Sequence, residues 1–301
     1  IGAADLSVAR IYEGHLNALF LLHQFADDEQ KQFWFDEAEA GKIFGVWNTE
    51  AANGIKFTRG NGSISITGAK TFCSGSTNID YPIITGQLED EGWQMAIIDM
   101  KSSGLGADAS FWNPLGMRSS VSHRIDFAGH ELTKKNLLGI PGNYYRQPGF
   151  GGGAIRFSAV QVGGAQAILD GTIDYLRQMG RTDDQFQKQR VSEMAILVKS
   201  GLQWIDSAGL MFENGMGDEG KNGELLNMAN MMRHAVEEIC NRVMQLSEKC
   251  VGARGLMKPG RLERIHRDLR YYLRQPAPDA TFISIGDYIL TSNKSSDDIW
   301  N

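Results

Sequence analysis

A run of glycines near the middle of the chain has the spacing of a loop that binds a dinucleotide phosphate. Residues 149–154 read Gly-Phe-Gly-Gly-Gly-Ala and match the pattern G-x-G-x-x-A. In a dinucleotide-binding fold this loop directly follows a buried strand, so that its backbone N–H groups face the pyrophosphate. The preceding residues 143–148, Asn-Tyr-Tyr-Arg-Gln-Pro, lack the apolar pattern of such a strand. The sequence therefore favours a flexible hinge here over a phosphate site.

A second candidate is a cluster of charges near the C-terminus. Its members are Arg264, Arg267, Asp268 and Arg270. Helical spacing lets the aspartate pair with its neighbours, which alone is typical of a solvent-exposed face. Three glycines between positions 252 and 260 precede the cluster, and Pro276 and Pro278 end its helix. Because glycine permits close approach of a backbone or a ligand, the region is a candidate for binding.

The sulfur-containing and histidine residues give weaker signals. Four methionines between positions 228 and 244 recur at helical spacing, which indicates core packing more than an acyl or aromatic pocket. No group of His and Cys has the spacing of a zinc site, so no metal is predicted. Cys240 and Cys250 fall in one helical pattern, about 15 Å apart, which is too far for a disulfide. We therefore expect a reduced, cytoplasmic protein.

Length and charge exclude several classes of protein. The chain has 301 residues, which predicts more than one domain. Its net charge is -6, so it lacks the basic footprint of a nucleic-acid-binding protein. No apolar run approaches the ~20 residues of a membrane span. The first residue is Ile1 rather than Met, and no charged stretch followed by an apolar core marks a signal peptide, so we expect this chain to be part of a longer product.

The apolar pattern changes twice along the chain. Residues 1–41 have helical spacing, whereas residues 43–138 alternate with a period of two and predict about seven short strands. After a hinge at residues 139–153 the pattern is helical to the end, with long apolar seams at 155–176, 191–205 and 225–250. We predict an α+β chain of separate layers: helices, then a small antiparallel barrel or sandwich, then a four-helix-type bundle.

Four motifs, in this order, resemble those of the acyl-CoA dehydrogenase superfamily across almost the whole chain. They are Val-Trp-Asn-Thr-Glu at 46–50, Gly-Ala-Lys-Thr-Phe-Cys-Ser-Gly at 68–75, Leu-Gly-Met-Arg-Ser-Ser at 115–120 with Ile-Asp-Phe at 125–127, and Gly-Ala-Arg-Gly at 252–255 followed by Glu-Arg-Ile-His-Arg-Asp at 263–268. The resemblance implies three domains: the end of an N-terminal helical domain at 1–41, a middle β-domain at 42–140 and a C-terminal helical bundle at 141–301.

The resemblance also implies a bound FAD between the middle and C-terminal domains. By position, the residues at the flavin ring are Trp47, Asn48, Thr49, Phe72, Cys73 and Ser74. Arg181 and Gln189, with Gln187 as the alternative to Gln189, would approach the pyrophosphate or ribose of a second subunit's cofactor. Gly252 and Gly255 would permit close approach of the backbone to the cofactor.

The reaction that the resemblance implies is α,β-dehydrogenation of an acyl thioester of CoA or of a carrier protein. In that chemistry a carboxylate removes the α proton. The family's two base positions correspond to Pro276 and Ile155, which carry no carboxylate. Asp279 is the nearest downstream carboxylate, and it is either the base or the N-cap of the next helix. Arg156, at the start of a bundle helix, is expected near the reacting end of the substrate.

Three functions are compatible with this set of residues. The first is an acyl-thioester dehydrogenase with a relocated base, which passes electrons to an acceptor flavoprotein or to oxygen. The second is a flavin-dependent oxidase or monooxygenase on the same fold, and the third is a catalytically silent oligomeric member of the family. The long apolar seam at 225–250 predicts a homodimer or homotetramer, since it offers more apolar surface than one bundle readily covers.

Overall fold

The computed structural model describes residues 1–149, 152–274, 276–293 and 295. These residues form two compact units. One, which we call the β unit, contains residues 10–114 and 118–146; the other, the helical unit, contains residues 1–9, 115–117 and those from 147 onward. The three-domain division expected from the family motifs stays a prediction.

The β unit contains two sheets that follow two helices along the chain, and residues 6–9 of the first helix belong to the helical unit. The helices are α1 (Leu6–Phe25) and α2 (Asp28–Glu39). The strands are β1 (Phe44–Trp47), β2 (Lys56–Arg59), β3 (Ile64–Thr67), β4 (Ala69–Cys73), β5 (Tyr81–Leu88), β6 (Gly92–Ile97), β7 (Ala107–Asp108), β8 (His123–Asp126), β9 (Glu131–Leu132) and β10 (Leu137–Leu138). A short helix, α3 (Met100–Ser103), lies between β6 and β7 along the chain. Within the described residues, seven strands form one sheet in the order β10-β6-β5-β2-β3-β9, with β1 also paired to β5. The other sheet has the order β4-β8-β7.

The period-two pattern of the sequence places the core of the β unit between its sheets. On β3, Ile64 and Ile66 are buried while Ser65 and Thr67 are not. Strands of both sheets contribute apolar side chains to one buried cluster. Gly68 separates β3 from β4 at φ +94°, where an added Cβ would lie 2.2 Å from the carbonyl oxygen of Gly54. Only glycine fits this turn, because both the backbone conformation and the space exclude a side chain.

Beyond β6 the structure departs from the predicted strand pattern. The alternation of residues 93–100 predicts one strand, but β6 ends at Ile97 and α3 begins at Met100. The Asp99 side chain accepts hydrogen bonds from the backbone N–H groups of Lys101 and Ser102 at 3.0 and 3.3 Å. This N-cap starts a helical turn where hydrophobic alternation alone predicts an extended backbone.

Within its described residues, the helical unit contains three long helices and two shorter ones. They are α4 (Gly153–Gln178), α5 (Gln185–Gly215), α6 (Asn222–Gly255), α7 (Arg261–Tyr272) and α8 (Pro278–Thr291). Of the three predicted seams, that of α6 is buried along its length. On α4 the buried face includes the polar residues Ser158, Gln161 and Thr172, while the predicted seam residue Ala159 is exposed. On α5 the predicted seam residue Leu202 is 38% exposed.

None of the described helices is sufficiently long and apolar to cross a lipid bilayer.

Candidate functional site

The end of β1 places the first predicted flavin residues at three different depths. Trp47 is 1% exposed and lies in the core, and its indole Nε1 donates a hydrogen bond to the carbonyl oxygen of Ser74 at 3.0 Å. Asn48 is half-buried and Thr49 is exposed. Trp47 therefore anchors this segment, and Asn48 and Thr49 are the residues that can meet a ligand.

The second group of predicted flavin residues, 72–74, lies beside the first, 47–49, because Trp47 forms a hydrogen bond to the backbone of Ser74. Cys73 is fully buried, and burial raises the pKa of its thiol. Ser74 is half-buried, and its hydroxyl oxygen accepts a hydrogen bond from Ser122 Oγ at 2.9 Å. Phe72 is 45% exposed at φ +53°, and its ring packs edge-on against the rings of Phe111 and Trp112.

A buried ion pair that the sequence analysis did not single out connects the same strands. Lys70 on β4 is fully buried, and its Nζ donates to the carbonyl oxygen of Asn48 (2.8 Å), to Thr85 Oγ1 (3.1 Å) and to Glu50 Oε1. Burial lowers the pKa of Lys70, and the hydrogen-bonded Glu50 opposes that shift. The other Glu50 oxygen accepts a hydrogen bond from the N–H of Ile55 at 2.7 Å. The sequence signal for this pair is a lysine in the second family motif, at 68–75, and a glutamate directly after Asn48 and Thr49 in the first.

In the helical unit, the residues predicted to reach a phosphate lie at the start of α5. Arg181 Nη2 lies 3.4 Å from Asp184 Oδ2, and Asp184 caps α5 by accepting from two backbone N–H groups. Gln187 is 2% exposed; with its amide oriented to satisfy both ends, its oxygen accepts from Arg181 Nη2 at 2.7 Å and from Arg190 at 3.2 Å. Gln189 is exposed. The structure thus brings Arg181 together with the alternative Gln187 rather than with Gln189.

The two glycines predicted to lie at the cofactor, Gly252 and Gly255, occupy different structural environments. Gly252 interrupts α6 at φ +60°, and no atom lies within 4 Å of the position of an added Cβ. At Gly255 an added Cβ would lie 2.4 Å from the Cβ of Val251 in the same helix. Gly252 therefore leaves open space in which a ligand could approach, whereas Gly255 is required by its own chain.

The two predicted catalytic residues lie in the first turns of different helices. Arg156 is half-buried on α4, and Asp279 is exposed on α8. The prediction of Asp279 as an N-cap is wrong, because Ala277 at φ +53° occupies that position and Pro278 starts the helix. Proline suits the first helical position, where its missing N–H would have no partner. A role of Asp279 as a base stays a prediction, as does the placement of Arg156 near the substrate.

The run of glycines at 149–154 falls partly on Phe150 and Gly151, which lie outside the described residues. Residues 143–145 before it form a single 3₁₀ turn, and Gly153 opens α4. Within the described residues, no strand directly precedes the run. A dinucleotide-binding loop directly follows a buried strand, so this arrangement does not fit one.

The last two family motifs bind each other inside the helical unit. The Asp268 carboxylate on α7 accepts a hydrogen bond from the backbone N–H of Met117 at 2.7 Å. Burial raises the pKa of Asp268, while this hydrogen bond and Arg267 oppose the shift. At Gly116 an added Cβ would lie 2.2 Å from the carbonyl oxygen of Arg267. Asp268 and Arg267 of the charged cluster therefore fix residues 115–117 against α7.

Comparisons with known proteins agree with this fold. The sequence model of the acyl-CoA dehydrogenase C-terminal domain matches residues 142–273. YdbM of Bacillus subtilis, which is named as an acyl-CoA dehydrogenase, is 23% identical over 276 residues that cover 85% of this chain and 70% of YdbM. A dibenzothiophene monooxygenase of Rhodococcus erythropolis is 23% identical over 235 residues, covering 69% of this chain and 56% of the relative.

Among solved structures, TdsC from Paenibacillus sp. A11-2 with FMN and indole superposes with a TM-score of 0.88 at 19% identity. The superposition covers 100% of this chain and 84% of the TdsC chain. A likeness at this identity establishes the fold. Together with the family match at residues 142–273 and the relatives above, it confirms the predicted resemblance to the acyl-CoA dehydrogenase superfamily, whose members are flavoproteins.

Proposed function

We propose that the protein binds a flavin and acts as an oxidase or monooxygenase, without a carboxylate base. The observation that carries this proposal is that the two base positions of the family are occupied by Pro276 and Ile155. The nearest downstream carboxylate, Asp279, is solvent-exposed in the first turn of α8. A dehydrogenase needs its base within hydrogen-bond reach of the substrate's α proton. The matches to dibenzothiophene monooxygenases support the base-free alternative.

The residues of the β unit suit the polar edge of a flavin ring. Asn48 and Thr49 follow β1 and supply an amide and a hydroxyl, while Ser74 and the exposed Phe72 lie at the end of β4. The two segments are joined by a hydrogen bond from the N–H of Thr71 to the carbonyl oxygen of Thr49 at 2.9 Å. These groups can hydrogen-bond the carbonyl and ring-nitrogen atoms of an isoalloxazine, while an aromatic side chain covers apolar surface. When bound, the flavin supplies the redox chemistry, and the protein supplies binding and orientation.

The residues of the helical unit support FAD over FMN. The exposed guanidinium of Arg181 has the fork geometry that phosphate prefers, and Gln187 holds it next to Arg190. Two neighbouring guanidinium groups suit the pyrophosphate of FAD better than a single phosphate. TdsC was solved with FMN, so identification of the released flavin separates the two cofactors.

The first experiment tests flavin binding. The purified protein is titrated with FAD and with FMN, and the bound flavin is released by heat and identified by chromatography. We expect near-stoichiometric FAD. A protein that binds neither flavin would overturn the proposal.

The second experiment tests the chemistry. Under anaerobic conditions, a panel of acyl-CoA thioesters is expected to leave the oxidised flavin unbleached. With a separate NADH-dependent flavin reductase and isotope-labelled O2, we expect one oxygen atom to enter an aromatic heterocycle such as indole, while the other leaves as water. Rapid bleaching by any acyl thioester would replace this proposal by the dehydrogenase.

A dehydrogenase is the second candidate, favoured by the family match at 142–273 and by YdbM. Its substrate would be an acyl thioester of CoA or of a carrier protein, and its electrons would pass to an acceptor flavoprotein. Asp279 is then the base to test.

We also expect a homodimer or homotetramer, although for a different reason from the one given by the sequence. The seam at 225–250 is buried within the helical unit, so it cannot form the contact. Instead, α5 exposes Ile196 and Leu210 (68 and 60%), and α8 exposes Phe282 and Leu290 (64 and 85%). Exposed apolar side chains of this size are typical of subunit contacts. Light scattering that gives a 33.3 kDa monomer would contradict this expectation.

A further inference from the structure

The contacts around Lys70 determine which atom of Asn48 is available to a ligand. The buried Nζ of Lys70 has three acceptors: the Asn48 carbonyl oxygen, a Glu50 oxygen and Thr85 Oγ1. An ammonium group carries three hydrogens and no lone pair, so it only donates. Thr85 Oγ1 must therefore accept from Lys70.

The hydroxyl of Thr85 still has its own hydrogen to donate, and the acceptor within reach is Asn48 Oδ1. Thr85 Oγ1 lies 2.6 Å from Asn48 Oδ1 and donates to it. Thr85 is itself fully buried on β5, so no water competes for this hydrogen. The atom of Asn48 that faces Thr85 must be the amide oxygen, because an NH2 group there would meet a hydrogen.

The opposite end of the amide is consequently a donor. No described residue accepts a hydrogen bond from Asn48 Nδ2, and Asn48 is only half-buried. The same lysine holds the Asn48 carbonyl oxygen, and its partner Glu50 holds the N–H of Ile55. Both the side chain of Asn48 and the backbone of residues 48–55 are thus held in one arrangement.

We propose that Lys70 and Thr85 are positioning residues that present Asn48 as a hydrogen-bond donor, so that this edge of the site recognises an acceptor atom of the flavin. The acceptor class is a ring carbonyl oxygen or an unprotonated ring nitrogen. This inference rests on the proposed flavin binding, and it adds the direction of one hydrogen bond and the residues that set it.

The test compares three substitutions by titration of the flavin-free protein with FAD. Thr85→Val keeps the shape of the side chain but removes the hydroxyl, so Asn48 can turn its amide either way. Asn48→Asp keeps the bond from Thr85 but offers the flavin only acceptors. We expect each to weaken FAD binding by about tenfold, equivalent to about 1.4 kcal/mol, and to shift the visible absorption bands of the bound flavin. Thr85→Ser restores the hydroxyl and should bind FAD as the parent does.

A matched control separates orientation from stability. Thr172 on α4 is also fully buried, and its hydroxyl bonds Ile168 and Ser247 within the helical unit. Thr172→Val should lower the melting temperature as much as Thr85→Val and leave FAD affinity unchanged. Parent-like affinity and spectrum in Thr85→Val or in Asn48→Asp would overturn the inference, as would failure of Thr85→Ser to restore binding. If the parent binds no flavin, the proposed function itself fails.

Discussion

Each unit of the molecule contains a buried relay of hydroxyl hydrogen bonds, and the two relays end in different places. In the β unit, Lys70 donates to Thr85, which donates to the half-buried Asn48. In the helical unit, His266 Nε2 lies 3.1 Å from Ser247 Oγ, which lies 2.7 Å from Thr172 Oγ1.

The second relay ends inside the core. Thr172 donates to the carbonyl oxygen of Ile168 on its own helix at 2.7 Å, so it accepts from Ser247, and Ser247 accepts from His266 Nε2–H. The same chemistry therefore fixes a half-buried amide in one unit and a histidine tautomer in the other. The contrast indicates that the end point of a buried network, and not its composition, decides whether the network can act on ligand binding or on stability alone.

The largest expected effect is in the β unit, where Glu50→Ala removes the counter-ion of the fully buried Lys70. An unpaired charge in the core costs about 3–5 kcal/mol of unfolding free energy. Because the folded-state pKa of Lys70 then falls further below its unfolded value, the variant should regain stability as pH rises towards the unfolded pKa. Urea unfolding of parent and variant across the alkaline range measures both effects. Equal stability of the two proteins at neutral pH would contradict a paired lysine.

The relay of the helical unit predicts a pH dependence of stability. Burial, with Arg270 contributing, lowers the pKa of His266 to about 4 from 6.5. Glu248 lies 3.6 Å from Nδ1 and is itself bound by Arg270 at 3.0 Å. Between these two pKa values the unfolded chain binds a proton that the folded chain does not, so stability falls as pH drops, by about 3 kcal/mol in total.

The measurement is urea unfolding between pH 7 and pH 4 for the parent and for His266→Gln. The variant lacks the titrating group, so its stability should fall less steeply while FAD affinity at neutral pH stays unchanged. Identical pH slopes would show that His266 is not held neutral. A loss of FAD affinity would break the contrast between the two relays.

The sequence predicts those features of the structure that depend on the pattern of neighbouring residues, and it does not predict contacts between residues that are far apart along the chain. Alternation in Ile64–Thr67 and helical spacing at 225–250 give the strands and the buried seam, because burial of one face is a local pattern. The Lys70 pair joins β1, β4 and β5 over 15 to 22 positions, and no periodicity encodes that contact. Trp47 and Cys73 match the family motif, yet they lie in the core, because a motif gives position along the chain and not depth.

A smaller effect is expected at Gly252, which tests the open space beside α6. Gly252→Ala places a side chain at φ +60° and should cost about 1–2 kcal/mol of stability. Gly180 is a matched control, since it has φ +63° and likewise no atom within 4 Å of an added Cβ. If the flavin approaches Gly252, only Gly252→Ala weakens FAD binding. Equal affinity in both variants would remove Gly252 from the cofactor site.

The smallest effect is expected at Asp279, and it decides between the two reactions. Its carboxylate is exposed in the first turn of α8, where a negative charge stabilises the helix by about 0.3–1 kcal/mol. Asp279→Asn keeps the shape, removes the proton acceptor, and should lower the melting temperature only slightly. Asp287→Asn, in the last turns of the same helix, removes a charge from the unfavourable end and serves as the control. If the flavin reacts without a base, both variants keep the parent's rate of oxygen transfer. If an acyl thioester reduces the parent's flavin and Asp279→Asn alone loses that reduction, Asp279 is the base and the protein is a dehydrogenase.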